Sequence, residues 1–93
     1  MKKSINAKTI EVQRRFFEAL DTLIALERIT GIKGFCVKYG LNRVKYTRLK
    51  NDLGKPIEEM FYKSIDVDAL ADICELGVSP EWLLLGRGKM LMK

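Results

Sequence analysis

The stretch from Gly31 to Asn51, GIKGFCVKYGLNRVKYTRLKN, limits the possible fold most strongly, because a single glycine turn separates two short helical patterns in it. Gly40 suits the position after a helix, where φ is positive, and Asn42 is a favourable cap for the next helix. We predict one helix over 32–39 and another from 43 to 51 or 53. Two short helices held at a fixed angle by a tight turn can present one of them to the major groove of DNA.

The second of these predicted helices has one apolar side and one polar, basic side. Tyr46, Leu49 and Leu53 repeat at helical spacing and define the side that we expect to be buried. The opposite side and its flanks carry Arg43, Val44, Lys45, Thr47, Arg48, Lys50 and Asn51. A helix divided in this way packs along one edge and offers the other edge to a partner.

Three further helices are predicted around this pair, and no strand. The first is capped by Thr9 and runs to about Glu27, with an apolar stripe along one side. The fourth begins at Ser64 or Asp66 and covers about 67–76. The inward stripes of these two helices are Phe16, Phe17, Leu20, Leu23 and Ile24 in the first and Leu70, Ile73 and Cys74 in the fourth.

The fifth predicted helix has the clearest start in the chain. Ser79, Pro80 and Glu81 supply a cap, a proline at the first helical position and an acid in the first turn, and the helix ends before Gly86. The segment 57–65 has no clear period and is either a helical turn or a packed loop. The predicted fold class is therefore all-α, with five helices in one domain over 9–92 and a flexible basic arm over 1–8.

Composition narrows the chemistry that the chain can perform. Its 93 residues suffice for one small core. There is no histidine and no glycine-rich phosphate loop, so we predict no enzyme activity, no metal and no cofactor. Cys36 and Cys74 have no CxxC partners and are predicted to be buried thiols in a reducing compartment. No apolar run can span a membrane and no signal peptide is apparent, which predicts a cytoplasmic protein with no membrane partner.

Charge is divided unequally between the two parts of the chain. Residues 1–55 carry 13 Lys and Arg against 5 Asp and Glu, whereas residues 56–93 carry 4 against 7. The basic part also contains the predicted pair of short helices. Positive charge gathered on the same half as such a pair favours a polyanionic partner, of which double-stranded DNA is the best candidate.

Two segments resemble a known family. FCVKYGLNRVKYTRLK, residues 35–50, resembles the helix-turn-helix of lambda-repressor-like (Xre-type) DNA-binding domains, with a small residue four positions before the turn glycine and an apolar residue after it. LGVSPEWLLLGRGKM, residues 76–90, is similar to the segment that often closes phage-repressor-type members, and it is the more specific match. The resemblance covers about residues 9–92 and implies a compact five-helix domain with the helix-turn-helix at helices two and three.

The resemblance also implies roles for individual residues. The third helix would read DNA, with base contacts from Arg43, Val44, Thr47 and Arg48. Phosphate contacts would come from Lys33, Lys38, Lys45, Lys50, Asn51 and Lys55. The sequence departs from the family pattern in the bulky Tyr46, in a longer connection over 52–65, and in an Asn42 start to the third helix where Ser or Gln is frequent.

The resemblance further implies a regulator that acts as a homodimer on a palindromic operator, most often a repressor in the bacterial cytoplasm and nucleoid. We predict that helix five and the tail form the dimer interface through Trp82, Leu84, Leu85, Met90 and Leu91. Many phage repressors carry a second, C-terminal domain, so we expect either a stand-alone regulator or an excised domain. The competing hypothesis is a protein-interaction module or antitoxin-like adaptor that keeps the fold without binding DNA.

Overall fold

The computed structural model describes residues 7–56, 59 and 64–92, and the fold of these residues is all-α. Five helices follow one another in the described residues, as the sequence predicted. Their bounds are Ala7–Ala25 for α1, Ile32–Tyr39 for α2, Arg43–Asp52 for α3, Val67–Glu75 for α4 and Pro80–Leu85 for α5. Met60, Phe61 and Tyr62, for which a helical turn or a loop was predicted, lie outside the described residues.

Helix α1 begins earlier than predicted. Thr9 lies inside the helix, so its prediction as the cap is wrong. Ala7 and Lys8 both favour helix, and nothing in the sequence interrupts the helix before Thr9. These two residues belonged to the predicted basic arm, and residues 1–6 of that arm lie outside the described part of the chain.

Helix α1 ends in a left-handed turn that the sequence did not predict. Glu27 adopts a φ of 60°, the left-handed conformation usually left to glycine after a helix. Its N–H donates to the carbonyl of Ile24 at 3.0 Å, and the N–H of Arg28 donates to that of Leu23 at 2.9 Å. These two bonds satisfy carbonyls of the last turn and end the helix at Ala25.

The core lies between α1 and the other four helices. Phe16 is fully buried, and its ring centroid is 5.1 Å from that of Phe17, 5.9 Å from that of Phe35 and 6.1 Å from that of Tyr46. The predicted stripe of α1 is confirmed, with only Ile24 partly exposed. Aromatic rings of α1, α2 and α3 therefore meet at one point and fix the orientation of α2 and α3 over α1.

Helix α4 faces the core with a different stripe from the one predicted. Ile73 is buried as expected, but Ala69 is the second fully buried residue, while Leu70 and Cys74 are half-buried at the edge. Small Ala69 lets α4 lie close to its neighbours. The sequence pattern missed it because alanine contributes little to an apolar stripe.

The tail after α5 folds back against the residues before it. Ser79 N donates to the carbonyl of Met90 at 2.8 Å, and Met92 N donates to that of Gly77 at 2.9 Å. Val78 and Leu91 form an isolated antiparallel bridge. The tail is thus attached to the domain through its backbone, and Met90 and Leu91 pack against the core rather than standing free.

Candidate functional site

The turn between α2 and α3 has the geometry predicted from its glycine and asparagine. Gly40 adopts φ 68° and ψ 33°, and its N–H and that of Leu41 both donate to the carbonyl of Cys36. Asn42 then caps α3, its side-chain Oδ1 accepting from the N–H of Lys45 at 3.1 Å. The end of α2 and the start of α3 are therefore fixed by local bonds that span three to five positions.

Helix α3 buries one face and exposes the other. Tyr46 and Leu49 are each 1% exposed and hold the helix against the core. Leu53, predicted on the same face, is half-buried just after the helix, and Asp52 is the third fully buried side chain of α3. The outer face carries Arg43, Val44, Thr47, Arg48 and Asn51, all exposed.

These five outer side chains form one continuous surface. Together with Asp52 and Lys55 they line a shallow cleft of about 570 Å³. All four residues predicted to contact bases are on this surface. Val44 differs from the other three because its side chain is aliphatic, and it is 72% exposed among charged and polar neighbours.

The six predicted phosphate ligands occupy two kinds of position. Lys33 and Lys38 on α2 are exposed, and the Nζ atom of Lys38 lies 5.4 Å from the centroid of the Tyr39 ring. Asn51 and Lys55 are also exposed, at the end of α3 and just after it. Lys45 and Lys50 are half-buried at the edges of α3, with side chains directed toward other elements.

Lys45 takes part in a network that joins α3 to the start of α4. Its Nζ donates to Asp66 Oδ1 at 3.0 Å, and the Tyr46 hydroxyl donates to Asp66 Oδ2 at 2.7 Å. The Tyr46 hydroxyl also accepts from the Asp66 N–H at 3.1 Å. Hydrogen bonding from Tyr46, and then from Lys45, lowers the pKa of Asp66, whereas burial raises the pKa of Tyr46.

The bulky Tyr46 therefore has a structural explanation. Its ring fills the core beside Phe16, and its hydroxyl binds the residue that precedes α4. Asp66 occupies the cap position of α4 but makes no side-chain cap bond there, since its carboxylate is directed to α3. The sequence showed the unusual size of Tyr46 but not this partner.

Two more lysines of this region are ion-paired. Lys50 Nζ donates to Oδ1 of Asp21 on α1 at 2.9 Å. Lys55 Nζ donates to Oδ1 of Asp52 at 3.0 Å, and the Asp52 side chain is only 5% exposed. Sequence reasoning missed these carboxylates as part of the site. For Lys50 the partner is distant in sequence, while the close spacing of Asp52 and Lys55 was a signal that could have been used.

Arg15 and Arg28 lie outside this surface and donate hydrogen bonds at the C-terminal ends of other helices. Arg15 Nε donates to the carbonyl of Leu83 at 2.8 Å, and its Nη2 donates to that of Leu84 at 3.1 Å. Arg28 Nη1 donates to the carbonyl of Leu76 at 3.2 Å, just after α4. Cations at helix C-termini satisfy terminal carbonyls and oppose the negative end of the helix dipole. Part of the positive charge in residues 1–55 is thus structural.

The predicted dimer residues differ in their exposure. Leu84 and Leu85 are 48% and 61% exposed, whereas Trp82, Met90 and Leu91 are half-buried against the core. Leu83, between Trp82 and Leu84, is buried. Two adjacent leucines therefore protrude at the end of α5.

The two cysteines are free thiols, Cys36 buried and Cys74 half-buried, and burial raises the pKa of both. Among the described residues no three Cys, Asp or Glu side chains are grouped closely enough to hold a metal ion. Likewise, none of the described helices has the length and apolar character needed to cross a membrane.

No family model, no curated protein and no solved structure matches the chain. The case for a function comes from its own residues.

Proposed function

We propose that the chain is a sequence-specific double-stranded DNA-binding transcriptional regulator, with a lambda-repressor-like helix-turn-helix formed by α2 and α3. The observation that carries this proposal is the outer face of α3. It gathers exposed side chains suited to base contacts on one surface, while Tyr46 and Leu49 anchor the inner face. A helix anchored along one side can enter the major groove without losing its position in the domain.

The chemistry of the outer face suits base recognition. Arg43 and Arg48 can each donate two hydrogen bonds to O6 and N7 of guanine, which distinguishes it from the other bases. Val44 is exposed at a cost in solvation, and contact with the methyl group of thymine would offset that cost. Thr47 can bond either a base or a phosphate.

Phosphate contacts are proposed for the lysines around α3. Lys33 and Lys38 present exposed ammonium groups from α2. At the far end of α3 the exposed amide of Asn51 can donate to a phosphate, and Lys55 is exposed just after the helix. Lys45 and Lys50, the remaining members of the predicted set, lie at the edges of the helix and are each paired with an aspartate, so their contribution to phosphate binding is smaller. Such contacts supply affinity by releasing counterions from DNA and position the protein without reading sequence.

The proposed active form is a homodimer in the bacterial cytoplasm. Leu84 and Leu85 protrude from α5, and Trp82, Met90 and Leu91 flank them as the remaining proposed interface. A two-fold axis through this surface would place two α3 helices about 34 Å apart, one turn of DNA. The expected target is a palindromic operator, where a bound dimer represses transcription.

Selection of duplexes from a randomised pool, followed by salt titration, tests the proposal. We expect enrichment of a palindromic sequence whose affinity falls steeply as salt rises. Failure to enrich any sequence would refute sequence-specific binding. A non-palindromic site bound by one protomer would refute the dimer only.

The second candidate function is a protein-interaction module or an antitoxin-like adaptor. It is favoured by a groove of about 510 Å³ between α4 and α5, lined mainly by apolar side chains. The lining includes Val67, Leu70, Ala71, Cys74, Pro80, Leu83 and Leu84. If the pool yields no binding sequence, this groove is the surface on which to search for a protein partner.

A further inference from the structure

The three lysines between residues 43 and 55 are all held by carboxylates of the same chain. Lys45 is bound by Asp66, Lys50 by Asp21 and Lys55 by Asp52, with N–O distances of 3.0, 2.9 and 3.0 Å. The three carboxylates come from three different elements. Within the residues that the structure describes, no carboxylate is ion-paired with Lys33 or Lys38 on α2.

This distribution is uneven for a chain with few acids in its basic part. Residues 1–55 contain only five Asp and Glu, and two of them, Asp21 and Asp52, hold lysines of α3 or the turn after it. On α4, by contrast, Asp72 lies near Glu75 and Asp68, and these like charges add to burial in raising the pKa of Asp72. The acidic side chains of α4 therefore lie close to one another, whereas those around α3 are each paired with a separate lysine.

A carboxylate that pairs with a lysine reduces the contribution of that lysine to DNA-binding affinity. A lysine that binds phosphate contributes affinity because counterions condensed on the DNA are released. If an aspartate already neutralises the ammonium group, part of the attraction to phosphate is cancelled, and the remaining carboxylate repels the phosphate as it approaches. This reduction acts on every DNA sequence equally, because it concerns the backbone and not the bases.

We propose, on the basis of the DNA-binding function proposed above, that Asp21 limits the affinity for DNA of any sequence by holding Lys50 back from the DNA backbone. Asp21 lowers the affinity for non-specific duplex and for the operator by a similar factor while leaving the outer face of α3 unchanged, so it sets how tightly the protein binds DNA and not which sequence it selects. The same reasoning applies to Asp52 and Asp66. Asp21 is the clearest case, because its side chain is 57% exposed and the other two are bound into the turn after α3 and the Tyr46 network.

The pair is suited to this role because it is exposed and held by one hydrogen bond. Exposed ion pairs contribute little to folding, so removing the carboxylate releases Lys50 without disturbing the core. Asp21 lies on the edge of α1 that faces the end of α3, and its neighbour Leu20 belongs to the buried stripe. The position of Asp21 is thus fixed by the core, while its carboxylate remains on the surface.

The test compares Asp21→Asn with Glu18→Gln. Both changes remove one negative charge from an exposed position on α1, but only the first releases Lys50. Binding to a non-specific duplex is measured by fluorescence anisotropy between 50 and 200 mM salt. We expect Asp21→Asn to bind about three- to tenfold more tightly than Glu18→Gln at low salt, with a log–log salt slope steeper by about 0.9, as for one added phosphate contact.

A second comparison assigns the gain to Lys50. The double variant Asp21→Asn with Lys50→Gln should bind non-specific duplex no more tightly than Lys50→Gln alone. Equal affinities and slopes for Asp21→Asn and Glu18→Gln, with the parent still binding DNA, would overturn this inference and leave the proposed function standing. If neither the parent nor any variant binds any duplex, the proposed function fails and this inference fails with it.

Discussion

Residues 31–55, the recognition unit, and residues 76–92, the closing segment, expose different side chains on the same small core. The recognition unit presents arginines, lysines and polar side chains around Val44, whereas the closing segment presents the adjacent Leu84 and Leu85 beside Arg87 and Lys89. Both are contacted by charged residues from α1. Asp21 binds Lys50 of the recognition unit, and Arg15 binds the carbonyls at the end of α5.

Under the proposed function, the two regions would meet different partners. A charged surface keeps its hydration until it meets a polyanion, while protruding leucines gain most from leaving water altogether. Helix α1 contributes opposite charges to the two regions: Asp21 pairs with Lys50, and Arg15 donates to the carbonyls at the end of α5. The variants below change the shared core, one region at a time, and then a single bond between helices.

The largest effect is expected from Phe16→Ala, which removes the ring shared by α1, α2 and α3. Loss of a buried phenylalanine should lower the free energy of unfolding by about 3–5 kcal/mol. Urea unfolding followed by far-UV circular dichroism and by Trp82 fluorescence should give coincident, destabilised transitions. Val37→Ala, at an exposed site, is the control. Separate transitions for the two probes would show that the closing segment unfolds independently of the rest.

Arg43→Ala and Arg48→Ala act on the recognition unit alone. Each should weaken binding to the selected operator by about 1–3 kcal/mol, or roughly 5- to 150-fold, because a bidentate contact to guanine is lost. The melting temperature should stay unchanged, since both side chains are exposed. Arg87→Ala removes an exposed arginine from the closing segment and should have little effect on operator recognition. If Arg87→Ala costs as much as the other two, net charge and not base contact controls binding.

Leu85→Asp acts on the closing segment alone. We expect it to shift the protein from dimer to monomer in sedimentation velocity, because a charge would be buried in the proposed interface. The monomer should stay folded, as Leu85 is mostly exposed. Val37→Asp makes the same kind of change on α2 and should leave the dimer intact. A Leu85→Asp protein that remains dimeric would place the interface elsewhere.

Tyr46→Phe removes the hydroxyl that joins α3 to Asp66. It should lower the free energy of unfolding at pH 7 by about 1.5 kcal/mol, the lower end of the range for a hydrogen bond to a charged group. The folded pKa of Asp66 lies below its unfolded value of about 3.9, so this contribution is present above that pH and is lost as pH falls through the lower folded pKa.

The cost of Tyr46→Phe should therefore shrink as the pH falls below about 4, as measured by urea unfolding from pH 7 downward. Tyr39→Phe removes a hydroxyl from a half-buried tyrosine of α2 and serves as the control. A cost for Tyr46→Phe that does not change with pH would mean that Asp66 does not hold its charge through this bond.

The sequence correctly predicted those parts of the fold that depend on bonds between residues close together in the chain. Gly40 and Asn42 fix the turn between α2 and α3, and Ser79 with Pro80 fixes the start of α5, because each acts through bonds to residues within five positions. The start of α1 was missed because no residue near Thr9 opposes helix. Local chemistry determined helix limits well wherever a specific cap was present.

The candidate site was predicted less fully, since its electrostatics depend on distant residues. The spacing along α3 identified its outer face, but Lys45 and Lys50 are held by Asp66 and Asp21, which lie 21 and 29 residues away in sequence. Periodicity says which side of a helix faces outward, but it does not say which charge of another helix lies beside it. The base-contact and phosphate roles themselves remain predictions.

The two bonds from Arg15 to the end of α5 also make the geometry of that end depend on a distant part of the chain. Helix α5 has six residues, too few to be stable by itself, and the arginine that donates to its last carbonyls lies 68 and 69 positions earlier in the chain. Contacts that close so long a loop cost more chain entropy than the local bonds of a helix. A change at Arg15 would therefore alter how Leu84 and Leu85 are presented without altering any residue of that apolar surface.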